Sequence, residues 1–175
     1  SDRPSGKTVF VTSTIGKEGK SFVALNLGAS LAISGKKVLL LGMDLRAPKI
    51  LKYLNLEDKK GLTDLIMSGS MQPANYIFKP KEMEGLDILP SGSIPPNPAE
   101  LLMNPGIKEL FGLLRQQYDY IVVDTAPVGM VTDTLLLNAY ADAFVYVVRA
   151  NYLDKRLLSI AETAFREKRL SNMAV

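Results

Sequence analysis

The chain has 175 residues, 47% of them apolar, enough for one domain with a buried core. It contains neither cysteine nor histidine, which excludes disulfides, thiolate or imidazole metal sites and Ser-His-Asp catalysis, so any general base is a carboxylate, lysine or tyrosine. The formal charge is +3 with the basic residues dispersed, a pattern of solvated surface that argues against a nucleic-acid partner, and no apolar run approaches a membrane span.

The ends read as cut. Ser1–Gly6 has linker composition, no signal peptide follows it, and Ser171–Val175 reads as the start of an unfinished strand. The expectation is one domain, residues 1–175, taken from a longer chain.

In chain order, Thr8–Ser13 is an apolar strand running through Thr14-Ile-Gly16-Lys17-Glu18-Gly19-Lys20-Ser21 into a helix over Lys20–Ser34, closed by Gly35. Further strands are expected at Lys37–Met43, Leu86–Pro90, Tyr120–Asp124 and Ala143–Arg149. Further helices are expected at Gly61–Ser68, Pro105–Gln117, Asp133–Tyr140 and Asp154–Arg169. Asn104 reads as an N-cap with Pro105 at the first helical position. The last helix groups Leu157, Leu158, Ala161, Ala164 and Phe165 on one face. Asn55–Pro98 is less regular and rich in turn signals. Strands with little alternation, separated by helices, predict an α/β doubly wound, mostly parallel sheet covered on both faces.

Strand, glycine loop ending in Lys20-Ser21, helix is the context of a phosphate-binding loop. Backbone N–H groups approach phosphate oxygens there, and the helix N-terminus adds its positive dipole end. Thr14 replaces the first glycine of the strict pattern. Two more strands end in acids, Val38–Asp44 and Tyr120–Asp124, and ligands of open parallel sheets bind beyond such ends. The chemistry assigns Lys20 to the β- and γ-phosphates and Ser21, Asp44 and Asp124 to Mg²⁺. The bland alternatives are helix N-caps for Ser21 and Asp44 and a turn for Asp124. Gly16, Lys17, Glu18, Gly19, Lys20, Ser21 and Phe22 form the candidate nucleotide-binding loop. Lys17 reads as facing solvent.

Beyond this loop, Met43-Asp44-Leu45-Arg46-Ala47-Pro48, Gly61-Leu-Thr-Asp-Leu65, Leu89-Pro-Ser-Gly92, Pro95–Leu102 and Asp119–Val128 with Thr132-Asp133 resemble the cytoplasmic kinase domain of bacterial tyrosine autokinases. These are the Wzc-type enzymes of capsule and exopolysaccharide export, a branch of the P-loop ATPases that also holds MinD and ParA. The resemblance implies transfer of the γ-phosphate of ATP to tyrosine hydroxyls, with Lys20 and Ser21 in the Walker A loop, Asp44 in the A′ motif and Asp124 in Walker B. It also implies Mg²⁺, a homo-oligomeric ring, the tyrosine-rich tail of a neighbouring subunit as substrate, and a membrane-embedded chain-length regulator as partner. The expected location is the cytoplasmic face of the bacterial inner membrane, this fragment itself being soluble. The ring-building helix is expected before Ser1, and the tyrosine tail and an adenine-binding strand end after Val175.

Two departures from the family pattern stand out: the loop reads Gly16-Lys17-Glu18 where the family more often has Pro-Gly-Glu, and the A′ motif has lost an acid. The family's A′ motif reads Asp-x-Asp, and Gly42 takes the place of the first acid, the family's candidate base. Asp44 is the nearest replacement and Asp133 a second. Arg46 is left between a phosphate or a neighbouring subunit's acid on one side and a surface carboxylate of its own fold on the other, and Arg149 between the nucleotide face and plain surface. Tyr120, Tyr140 and Tyr146 are expected in or beside the core, Tyr118 and Tyr152 at the surface. Alternatives are a MinD/ParA-like ATPase, against which Ile15 stands where that group has a lysine, and a nucleotide-sensing module with little chemistry, which Gly42 supports. A Rossmann dehydrogenase is weakest, since the loop lacks G-x-G-x-x-G.

Overall fold

A computed structural model describes residues 5–129, 133–170 and 172–175. The linker expected at Ser1–Gly6 (its first four residues), Thr132 of the Thr132-Asp133 motif and Ser171 lie outside the described residues. The strands are β1 (Lys7–Ser13), β2 (Val38–Met43), β3 (Leu86–Leu89), β4 (Tyr120–Thr125), β5 (Ala143–Val147) and β6 (Met173–Ala174). The helices are α1 (Lys20–Ile33), α2 (Ile50–Tyr53), α3 (Leu62–Met67), α4 (Pro98–Leu102), α5 (Pro105–Gln117), α6 (Asp133–Leu136) and α7 (Leu158–Arg166).

The strands form one parallel sheet in the order β3-β2-β4-β1-β5-β6. β2 is buried along its whole length, as its unalternating apolar sequence requires when both faces are covered. One face packs Leu39, Leu41, Val123 and Phe144 against α3, α4, α5 and α7. The other packs Val11, Leu40 and Val122 against α1 and α2. α1 is closed by Gly35 at φ 84, whose N–H reaches the Ala32 carbonyl while Lys36 N–H reaches Leu31. This double closure satisfies the last carbonyls, as predicted from the glycine. Asn104 caps α5 by accepting from Gly106 N–H at 2.8 Å.

The structure corrects four expectations. The helix predicted at Asp133–Tyr140 is α6 followed by a 3₁₀ turn over Asn138–Tyr140. The last helix is α7 preceded by a 3₁₀ turn over Lys155–Leu157, because the Asp154 carboxylate accepts from Arg156 N–H and fixes a tight first turn. On α7 only Ala161 and Ala164 are buried, and Leu158 and Phe165 face outward. Tyr118 is buried, not exposed: its hydroxyl donates to Asp87 at 2.7 Å and the Lys37 ammonium lies 5.1 Å from its ring centre. Tyr146 is in the core, with Tyr120 and Tyr140 packed beside it, and Tyr152 is exposed, all as expected.

Candidate active site

The C-terminal ends of β1, β2 and β4 lie side by side, since β4 pairs with both other strands. That adjacency brings Lys20, Asp44 and Asp124 together from distant parts of the chain. The Lys20 ammonium sits 2.8 Å from Asp44 Oδ2 and 3.2 Å from Asp124 Oδ1. All three side chains are buried. One cation thus serves two carboxylates. Burial opposes the Lys20 charge, but Asp124 and Asp44 outweigh it and hold its pKa above the ordinary value. Asp124 is the deeper acid; burial pushes its carboxyl up, against the pull of Lys20 and a hydrogen bond with the Ser21 hydroxyl.

The loop before α1 is built for close approach. Gly19 precedes the helix at φ 95, and no side chain caps the helix start. Its first N–H groups are therefore left to a ligand. Ser21 is inside the helix and Asp44 does not cap α2, so neither bland reading holds. Asp44 instead closes a turn, its Oδ1 accepting from Arg46 and Ala47 N–H at 3.3 and 3.0 Å. Glu18 is buried and braces the loop, accepting from Ile15 N–H at 2.7 Å and Arg149 N–H at 3.4 Å. Arg149 also donates to the Lys17 carbonyl at 3.1 Å, so it belongs to the nucleotide face. Lys17 is exposed, as expected. After β4, Val128 and Gly129 N–H bond to the Ser13 and Thr14 carbonyls and pin that segment to the loop.

A cavity of about 350 Å³ opens over these groups. Gly16, Lys17, Gly19, Lys20, Ser21 and Asp44 line it, with Tyr53, Pro127 and Arg149 on the far walls. Phe22 lies outside that lining; it is exposed and its ring stands 6.2 Å from that of Tyr53. Sequence reasoning missed Tyr53, for which no signal existed. It also missed Ser91, which follows the end of β3 and was legible as another polar residue beyond a strand. Ser91 donates to the Asp44 carbonyl at 3.3 Å. A Cβ on Gly42 would stand 2.7 Å from the Ser91 hydroxyl oxygen and 2.8 Å from its backbone nitrogen. The place of the missing acid is filled. Arg46 resolves toward its own fold, its guanidinium holding Asp133 by bonds of 2.8 and 3.2 Å.

Two buried carboxylates, a hydroxyl and a net negative charge at their centre suit a hard divalent cation that keeps water or phosphate as its other ligands. Ser21, Asp44 and Asp124 are the residues that would hold Mg²⁺.

A family model described as an AAA domain matches residues 6–160. The tyrosine-protein kinase YwqD of Bacillus subtilis is 40% identical over 159 residues, covering 90% of this chain and 66% of YwqD. The chain belongs to the AAA-domain family, in its bacterial tyrosine-kinase branch. A putative tyrosine-protein kinase, EpsB of Ralstonia nicotianae, is 41% identical over 75% of this chain, but that match spans only 17% of EpsB. The chain therefore spans less than two thirds of these relatives. Among solved structures, the VpsO kinase domain superposes with a TM-score of 0.85 at 32% identity, covering 96% of this chain and 83% of that domain. The septum site-determining protein MinD of Pyrococcus horikoshii, solved with Mg-ADP, superposes at 0.74 with 20% identity over 95% of this chain and 68% of MinD, a likeness of fold.

Proposed function

We propose that this chain is the kinase domain, 1–175, of a longer protein-tyrosine autokinase that regulates bacterial capsular or exopolysaccharide synthesis and export. The observation that carries the proposal is the buried Lys20 between Asp44 and Asp124 at the foot of a helix-capped cavity. In this reading the α1 N-terminus and Lys20 bind the phosphates of ATP, and Glu18 and Arg149 fix the loop that wraps them. Mg²⁺ bound to Ser21, Asp44 and Asp124 supplies charge neutralisation of the phosphates. A bond forms between the tyrosine oxygen and the γ-phosphorus, the bond from that phosphorus to the ADP oxygen breaks, and the phenol proton passes to Asp44 or to water. Asp133 is the poorer acceptor, because Asp44 lines the cavity and Asp133 does not, its carboxylate being turned to the Arg46 guanidinium. A loose transition state asks little of any base, so loss of the acid at position 42 is tolerable.

The kinase names carried by relatives and the shared fold support this reading. By the same family argument the full protein forms a ring, takes a neighbour's tyrosine tail as substrate and works with a membrane-embedded regulator at the inner face of the membrane. Among the described residues no helix is long and apolar enough to cross a membrane.

The test is transfer of label from γ-labelled ATP to the tyrosine of an added peptide, with ATP affinity measured alongside. Tyrosine labelling supports the kinase. ATP binding with no transfer moves the reading to a nucleotide-sensing module, which the filled space at Gly42 favours.

A further inference from the structure

Beside the phosphate cavity lies a larger groove of about 820 Å³. The two share a wall: Arg46, Ala47, Lys49 and Tyr53 line both. Away from the loop, the groove adds Lys52, Lys59 and Lys60, with Asp58 as the acid in its lining. Among the described residues no ion pair engages Lys49, Lys52, Lys59 or Lys60; Lys59 lies over the Phe78 ring at 5.5 Å. Lysines that read as dispersed surface in the sequence are gathered by α2 and the following loop into one concavity. Four lysines gathered with a single acid leave a positive potential, which a concave wall focuses.

We propose that this groove receives the phosphoryl acceptor, and that the acceptor is an acidic, tyrosine-bearing stretch of protein. Its carboxylates face the four lysines while its tyrosine reaches the phosphate cavity past Tyr53. The inference rests on the kinase reading of that cavity. Geometry supports it at the junction, where Tyr53 lines both cavities and its exposed ring, 6.2 Å from that of Phe22, offers a face on which a phenol ring stacks. A nucleic-acid strand fits less well. The lining has Tyr53 as its aromatic, and between the lysines it presents aliphatic Ile50, Leu51 and Ile94 rather than a series of stacking platforms.

The experiment uses two peptides with one tyrosine each, identical except for flanking glutamates in one and glutamines in the other. Phosphorylation from Mg-ATP and binding by fluorescence anisotropy are measured for the unmodified protein and for Lys52→Glu/Lys60→Glu. The readout is the ratio of the two peptides within each protein, which cancels any general loss. The glutamate peptide is expected to be preferred by about tenfold, as several rim charge pairs supply. The charge-reversed protein is expected to lose or invert that preference. Equal use of both peptides by the unmodified protein overturns the groove while the kinase reading stands. So does a preference that survives charge reversal, or a single-stranded oligonucleotide that displaces the glutamate peptide and binds the lysines more tightly. Lysine-dependent binding of the glutamate peptide without phosphorylation keeps the groove as an acidic-peptide site but overturns the kinase reading, and with it the groove's role as acceptor site. Neither binding nor phosphorylation overturns both.

Discussion

Lys20 and Asp44 are joined by a buried ion pair, Nζ to Oδ2 at 2.8 Å, that ties the phosphate loop to the end of β2. The same ammonium reaches Asp124 at the end of β4. Replacing Lys20 by methionine leaves two carboxylates buried without their cation. Breaking such a pair costs about 3–5 kcal/mol. Loss of Lys20 removes the main force lowering the Asp124 pKa, so that carboxyl rises further and is neutral over a wider range. The stability deficit of Lys20→Met is therefore expected to be largest at neutral pH and to shrink as pH falls. Denaturant unfolding at two pH values measures it, and a pH-independent deficit would count against the buried charge triad.

Asp124→Asn keeps the shape of the site and removes one hard anionic ligand. ATP binding in the presence of Mg²⁺ is expected to weaken more than binding in its absence. Isothermal titration with and without chelator separates the two, and equal losses would make Asp124 structural.

Restoring the family acid by Gly42→Asp is expected to fail. The new Cβ meets both the hydroxyl and the backbone nitrogen of Ser91, so trimming the serine alone gives no relief. Overpacking of this kind costs about 1–3 kcal/mol. Thermal unfolding is expected to show that loss, with no gain in phosphotyrosine formation. A faster, fully stable variant would contradict the packing account.

The segment that carries Ser91 is held by Asp64. Burial would raise the Asp64 carboxyl, but hydrogen bonds from Gly61 N–H, Ser93 N–H and the Ser93 hydroxyl prevail and hold it below its ordinary value near 3.8. A depressed folded pKa gives stability that is complete above the ordinary value and is lost as pH falls through the folded one. Asp64→Asn is expected to flatten the stability profile below about pH 4, where unfolding is followed by circular dichroism.

Much of this architecture was legible because it rests on local pattern. The buried strands are unbroken apolar runs, and Lys20-Ser21 after a glycine loop fixes the start of α1. The misses have physical causes. α2 and α4 are only 4 and 5 residues long, too short for helical periodicity to register. Tyr118 lies at the end of an amphipathic helix, and its burial depends on Asp87, 31 residues away. Leu158 and Phe165 fit an apolar stripe, yet the sheet reaches only Ala161 and Ala164. At the site, Lys20, Asp44 and Asp124 were readable from strand ends. The Arg149 contact with Lys17 and the Ser91 contact with Gly42 exist only once distant segments meet.

The central claim is phosphoryl transfer from ATP to tyrosine at the Lys20 site. Its most direct test is phosphotyrosine mass spectrometry of the full-length protein after incubation with Mg-ATP, beside the Lys20→Met variant. Phosphate on tyrosine that disappears in the variant is the predicted result. ATP binding by the unmodified protein with no phosphotyrosine in either would contradict it.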